Sequence, residues 1–300
     1  MTNAAPPAGP PRQSSFDLVL RAATGPVPTM TAAWLAAFAL AFLHSHLHAL
    51  LIGLGVIGSF VAGLVGVGGA VIMIPLLLYV PPAFGFAEYG IHTVTGVTLI
   101  QVAAAGVAGT LGHFHHQAIE KRLLVTLGGG MAAGALAGAL VSNWVSAPAL
   151  SGIFALLALL AALVMFVPPR PLSDGRPFSA KVDALAAGSG GAVGFFVGMV
   201  GAGGGFLLVP LMLYVLRVPL RLAVGTSLAI VTVSAISGSL GKVMTGQVDW
   251  LMALALVTGA LPGARFGAVV SRHLPVTALR YILAGLLMVV AAKMWWELLR

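Results

Sequence analysis

Long apolar runs separated by short polar stops fill the chain from about residue 30 to its end. Runs of this length predict helices rather than strands. They fall at 49–66, 69–79, 91–112, 123–142 and 149–167, and again at 184–200, 203–215, 222–244, 251–270 and 278–296, with a further apolar helix over 30–48. The two sets are copies of one another. Laid over each other at an offset of 135 residues, FVAGLVGVGGAVIMIPLLLYV (60–80) and FFVGMVGAGGGFLLVPLMLYV (195–215) agree at eleven of twenty-one positions. At an offset of 129, Gly96 meets Gly225, Leu99 meets Leu228, and Gly130, Gly134, Gly138 and Ser142 meet Gly259, Gly263, Gly267 and Ser271. A loop six residues longer in the first copy, around 81–89, accounts for the change of offset.

Each copy interrupts its first apolar run with a glycine cluster, Gly66-x-Gly68-Gly69 or Gly201-x-Gly203-Gly204-Gly205, followed by Pro75 or Pro210. Glycine accepts either backbone handedness, so such a cluster can end one helix and begin another within a bilayer. The second helix then opens with unpaired N–H groups at its positive dipole end, which suits an anion. A single cluster of this kind reads as helix packing or bending. Its duplication, with proline at a fixed distance, favours paired broken helices, the sequence mark of a transporter's midplane site.

Composition narrows the class. With 59% hydrophobic and 7% charged residues the chain reads as an integral, all-α polytopic membrane protein. At about 20 residues per span, roughly eight to eleven spans exhaust its length, which leaves no soluble catalytic domain. The organisation expected is a Pro- and Ala-rich disordered tail (1–29), the extra helix (30–48), repeat one (49–167), a polar linker (168–183) and repeat two (184–300). The tail does not read as a signal peptide, because the first apolar run starts too late. Cysteine is absent, so thiol chemistry and disulfides are excluded. Neither glycine cluster fits a nucleotide-binding loop, and no cofactor is called for.

The net charge of +8 comes from singly scattered Lys and Arg, so these residues read as topology signals and not as a nucleic-acid surface. Lys121 and Arg122, with Arg170, Arg176 and Lys181 of the linker, mark basic sites in repeat one; Arg217 with Arg221 and Arg272 with Arg280 mark them in repeat two. The positions are out of phase between copies. A cytoplasmic linker fits best with an odd number of crossings per copy, hence two repeats inverted in the membrane, with a cytoplasmic N-terminus if 30–48 spans; one kinked span per glycine-broken pair would instead make the halves parallel and turn the Arg loops outward. Lys242, Lys293 and Arg300 run against that rule.

All seven acids, Asp17, Glu88, Glu120, Asp174, Asp183, Asp249 and Glu297, fall in tails, loops or helix boundaries. Cation and proton pathways place carboxylates inside spans, so their absence points to an anion. Basic groups do enter the spans. Arg265 could hold an oxyanion through its planar fork or snorkel to the interface, and Lys242, near a helix end, reads as snorkelling. Thr95, Thr98 and Gln101 in repeat one and Thr226, Ser227, Thr232 and Ser234 in repeat two offer neutral donors. Histidines gather at His44, His46 and His48 and at His113, His115 and His116, with His92 alone. His44 and His48 share a helical face, yet no acid or cysteine completes a metal site, and interfacial placement is the reading. Trp295 and Trp296 read as interface anchors.

The paired glycine segments, followed by Ala223-Val-Gly-Thr-Ser-Leu228 and Gly259-Ala-Leu-Pro-Gly-Ala-Arg-Phe-Gly267, resemble the TauE/SafE sulfite exporter family of membrane permeases over about residues 50–296. The resemblance implies a multi-pass protein of the bacterial inner membrane that carries sulfite, sulfonates or related small organosulfur anions and is no enzyme. Its partners would be that anion and the lipid bilayer, with a homo-oligomer compatible. Repeat one departs from the pattern at Ala70, at Val97-Thr98 and at Leu136, which aligns with Arg265. The stronger contacts are therefore expected in repeat two: Gly203, Gly204 and Gly205 through N–H groups, Thr226 and Ser227 through hydroxyls and Arg265 as counter-charge. Gly68, Gly69 and Thr98 are expected to contribute from repeat one. Two alternatives stand beside this one: a permease for metal or other small solutes using the histidines, and a non-transporting assembly protein.

Overall fold

Apolar sequence becomes helix here because a helix satisfies every backbone group within its own segment, as a lipid core demands. The computed structural model describes residues 46–65, 70–113, 120–166, 180–216, 218, 220–271 and 276–298. The expected tail and extra helix at 1–48 lie almost wholly outside this set, as do Gly66, Gly68, Gly69 and most of the linker. In repeat one the elements are α1 (His46–Val65), α2 (Ala70–Ala83), α3 (Ile91–His113), α4 (Lys121–Val141) and α5 (Ala147–Phe166), with a single 3-10 turn at Ser142–Trp144 after α4. Repeat two contains α6 (Ala180–Val200), α7 (Gly205–Pro210) running into a π-turn at Leu211–Val215, α8 (Leu220–Met244), α9 (Trp250–Ser271) and α10 (Val276–Leu298). Among the described residues six helices are long and apolar enough to cross a membrane, and α2, α3 and the α7 segment are shorter apolar helices within their described lengths.

The repeats do not fold side by side. The most extensive contacts join α4 to α6 and α9 to α1, so the fourth helix of each copy packs on the first helix of the other. Glycine makes this possible. A Cβ built on Gly130, Gly134 or Gly138 would overlap the carbonyl of Ala187, Gly191 or Phe195, and one on Gly259, Gly263 or Gly267 would overlap that of Ile52, Val56 or Phe60. Both residue numbers rise together, so each pair is parallel, with the two backbones in direct contact along three turns. Such small-residue seams are how membrane helices gain van der Waals contact without a hydrophobic driving force.

The centre is the crossing of α3 and α8. Gly106 meets Thr232, Leu99 meets Gly238 and Thr95 meets Lys242, so these equivalent helices run antiparallel. In contrast, α8 is parallel to α4: Gly128 lies against Ile230, Ala132 accepts a bond from Ser237, and Ala139 lies against Gly241. The first turns of α4, α6 and α8 therefore share one end of the molecule, here the linker face. Lys121, Arg122, Lys181 and Arg221 all stand in those first turns, and Arg122 pairs with Asp183 across α4 and α6. The ends of α4, α6 and α8 and the starts of α3 and α9 form the opposite, Lys242 face. Trp144, Trp250 and Trp296 are exposed at that end of the bundle.

Candidate functional site

The glycine turn of repeat two is wholly buried from Gly201 to Gly205. Gly201, Gly203 and Gly204 adopt φ of 77°, 66° and 86°, left-handed values that L side chains rarely take. The N–H groups of Gly201 and Ala202 close α6 by donating to the Val197 carbonyl at 2.8 and 3.1 Å. Gly204 caps α7, its carbonyl accepting from Leu207 and Leu208. Among the described residues no acceptor takes the N–H groups of Gly203, Gly204 or Gly205. The turn descends through the protein: Gly201 packs on Thr95 at the start of α3, Gly203 on Val102, and Gly204 on Met131, the middle residue of α4. From the Lys242 face it thus reaches the level of the middle of α4. Pro210, which has no N–H to offer, is followed by a π-turn in which Leu216 donates to Leu211.

Beside this turn lies a polar centre the sequence did not disclose. Lys242 is completely buried, which corrects the expectation that it snorkels to an interface. Its Nζ shares three protons among four acceptors, Ser142 Oγ at 2.8 Å, Gln247 Oε1 at 2.8 Å, Thr95 Oγ1 at 2.9 Å and the Met199 carbonyl at 3.2 Å. Thr95 passes its own hydroxyl proton to the His92 carbonyl and Ser142 passes its proton to the Ala139 carbonyl, so both turn lone pairs toward the ammonium. The partners come from α3, the end of α4, the end of α6 and the turn after α8, two from each repeat. His92 Nε2 donates to the Val145 carbonyl at 3.0 Å and ties the same face further out. Asp249, the nearest acid in sequence, instead caps α9 by accepting from Met252 N at 3.0 Å. Burial, and then the Asp249 charge, push the Tyr89 hydroxyl above its ordinary pKa in the loop over this face. The described ion pairs are Arg122–Asp183 and Lys293–Glu297, and neither involves Lys242.

The other expected contacts are dispersed. Thr226 and Ser227 are buried, but they sit near the linker face, where Thr226 Oγ1 accepts from Glu120 N at 3.2 Å. Sixteen residues of α8 separate Thr226 from Lys242, roughly 24 Å along the axis. Thr98 is buried one turn inward of Thr95 and donates to the Val94 carbonyl. Arg265 lies on an exposed face of α9, while its seam-forming neighbours Gly263 and Gly267 face α1. Gln101, also buried, donates to Ser59 Oγ at 2.6 Å and leaves its Oε1 without a partner, as is the buried Ser234 hydroxyl. No group of three metal-ligating side chains occurs among the described residues; His44, His115 and His116 fall outside them. At the offset of 129, Thr95, Lys242 and Gln247 align with Val224, His113 and Ala118, so the Lys242 centre is not duplicated. A repeat comparison therefore passes over it. The usable signal was a lysine in a span with no acid to pair it.

A bundle of apolar spans with a broken helix and a buried polar centre defines a multi-pass membrane transporter. A model of the sulfite exporter TauE/SafE family matches residues 50–294, and the chain belongs to that family. It is similar to Probable membrane transporter protein YunE of Bacillus subtilis, 28% identical over 83% of this chain and 97% of that protein. It is also similar to Probable membrane transporter protein MJ0441 of Methanocaldococcus jannaschii, 23% identical over 79% of this chain and 91% of that protein. A shorter likeness, 34% identical over 34% of this chain and 17% of the relative, links it to Probable membrane transporter protein MamO of Paramagnetospirillum magneticum. No solved structure matches.

Proposed function

We propose that this protein is a secondary permease of the bacterial inner membrane for small anions of the sulfite and sulfonate class, moving them without covalent chemistry. The observation that carries the reading is the buried Gly201–Gly205 turn, whose N–H groups at positions 203–205 open at mid-depth with no described acceptor. Oriented N–H groups of this kind favour negative charge. The acid-free spans support the same sign of substrate. Gly68 and Gly69 are the sequence counterparts in repeat one, and Thr98, Thr226 and Ser227 supply hydroxyls along the path. The antiparallel packing of α3 on α8 supports two inverted repeats that rock about this level to open it to each side in turn. The basic first turns of α4, α6 and α8 support a cytoplasmic linker face. Lys242 no longer conflicts with that orientation, because it is not a loop charge. Export of an anion would then draw on the membrane potential, about 2.3 kcal/mol per charge per 100 mV.

The test is flux of labelled sulfite, sulfate, methanesulfonate and chloride into and out of proteoliposomes. Saturable movement of a sulfur oxyanion is expected. Arg265→Ala separates this site from an arginine-centred one: with its side chain on an exposed face, the variant should keep flux within about twofold. Loss of sulfite flux in that variant would return the counter-charge to Arg265, and absence of flux for every anion would overturn the permease reading.

A further inference from the structure

An ammonium removed from water needs a reason to remain charged and a reason to be retained. Lys242 has four neutral acceptors and, among the described residues, no carboxylate within ion-pair range. Its charge is hydrogen-bonded but not neutralised, and neutral acceptors repay only part of the desolvation of an ion. A small anion is the partner that would supply the missing opposite charge and hold the group as an ammonium. Two of its acceptors are also structural ties. The Met199 carbonyl belongs to the last turn of α6, two residues before the glycine turn begins. Gln247 belongs to the turn from α8 into α9, and its Nε2 goes on to Thr245 Oγ1 at 2.9 Å and Ser142 Oγ at 3.2 Å.

Building on the permease reading, we propose that Lys242 is the charge-reading contact for a small oxyanion, and that the bound anion takes its ammonium from Met199 and Gln247. In the unloaded protein the lysine holds α3, α4, α6 and the α8–α9 turn together and closes the Lys242 face. An anion on the N–H groups of Gly203–Gly205 draws the flexible lysine stem inward, as a mobile point charge allows and a rigid guanidinium would not. Neutral and cationic solutes offer nothing to exchange for the lost acceptors, so they leave the face closed. One residue would thus select the sign of the substrate and make opening depend on its presence. Lys242 is tied to the start of the turn: Thr95 accepts from Nζ and also packs against Gly201, and Met199, whose carbonyl accepts from Nζ, precedes Gly201 by two residues.

The experiment is amide hydrogen exchange, resolved by fragmentation, on the full chain in lipid nanodiscs, titrated with sodium methanesulfonate against sodium gluconate. Methanesulfonate should protect the amides of Gly203–Gly205 while accelerating exchange at Thr245, Gly246 and Gln247, whose N–H groups close the α8–α9 turn. These opposite shifts should each reach about tenfold, the factor that ~1.4 kcal/mol of hydrogen bonding carries. In Lys242→Met the turn should exchange fast at every concentration and the glycine protection should vanish; Lys242→Arg, which keeps the charge, should retain the protection. Gln247→Leu provides a reading if Lys242→Met does not fold, since it loosens the turn without anion and leaves the glycine protection in place. Glycine protection that persists in Lys242→Met, or turn exchange unchanged in Gln247→Leu, would reduce the lysine to a structural tie and overturn the proposal. Saturable sulfite flux without any anion-driven exchange change would overturn it while leaving the permease standing; exchange changes without flux would do the reverse.

Discussion

Gly134→Leu is expected to leave no folded protein, whereas Gly129→Leu, five residues before it on the same helix, should fold as the wild type does. The difference lies in what each glycine faces. Gly129 is exposed and has nothing within 4 Å of an added Cβ, so leucine there only replaces lipid contact with lipid contact. Gly134 faces the α6 backbone, where even a Cβ would overlap the Gly191 carbonyl and crowd Phe195 N at 2.8 Å. Backbone atoms cannot rotate aside as a side chain could, so α4 and α6 would have to separate. Ordinary overpacking costs about 1–3 kcal/mol, and here separation also strips contact from Gly130 and Gly138 on either side. Nothing hydrophobic restores the pair once apart, because lipid solvates both faces equally well. Size-exclusion profiles in mild detergent, with melting followed on the same peak, are the measurement. A monodisperse Gly134→Leu melting within a few degrees of wild type would mean that the seam is not what holds the repeats together. Gly263→Leu should behave like Gly134→Leu, since Val56 occupies the corresponding place on α1.

That seam was legible in the sequence as a spacing, Gly130, Gly134 and Gly138 aligned with Gly259, Gly263 and Gly267, but its partner was not. Four-residue spacing says that one face of a helix is bare; it does not say which backbone fills it. The exchange of first helices between repeats is a long-range fact and has no local signature. Helix bounds came through within a few residues because lipid imposes helix wherever the chain is apolar. The second short helix begins two residues later than hydropathy places it, since Gly203 and Gly204 take left-handed angles that hydropathy does not record. Charge was the hardest to read. Arg265 and Lys242 are both single basic residues in apolar helices, and hydropathy treats them alike. Three-dimensional context separates them, turning Arg265 outward between glycines that face α1 and seating Lys242 among hydroxyls drawn from distant helices. Loop charges misled for the same reason: Lys242 counted against the orientation only while it was taken for a residue at the interface.

Gly201→Ala should abolish anion flux while Gly246→Ala, which also replaces a glycine of positive φ, should transport normally. Both carry the conformational cost of a Cβ in the left-handed region, about 1–2 kcal/mol. At Gly246, in the α8–α9 turn, nothing lies within 4 Å of the added carbon, and a membrane domain of this size can absorb that cost. At Gly201 the carbon would land on Thr95, at 2.5 Å from both its Cα and its Cβ and closer still to its carbonyl. Relief requires α3 to move away from the glycine turn. Thr95 Oγ1 is a Lys242 acceptor and Met199, which holds another, is two residues from the insult, so the same displacement pulls the buried centre apart. Transport and closure of the Lys242 face would then fail together, though the α4–α6 and α1–α9 seams, built from other residues, remain intact and the protein still folds. The check is paired flux and melting on both variants. A Gly201→Ala protein that melts near wild type but moves no sulfite would place the turn in the transport path, and one that transports normally would show that the turn's close packing on α3 is dispensable.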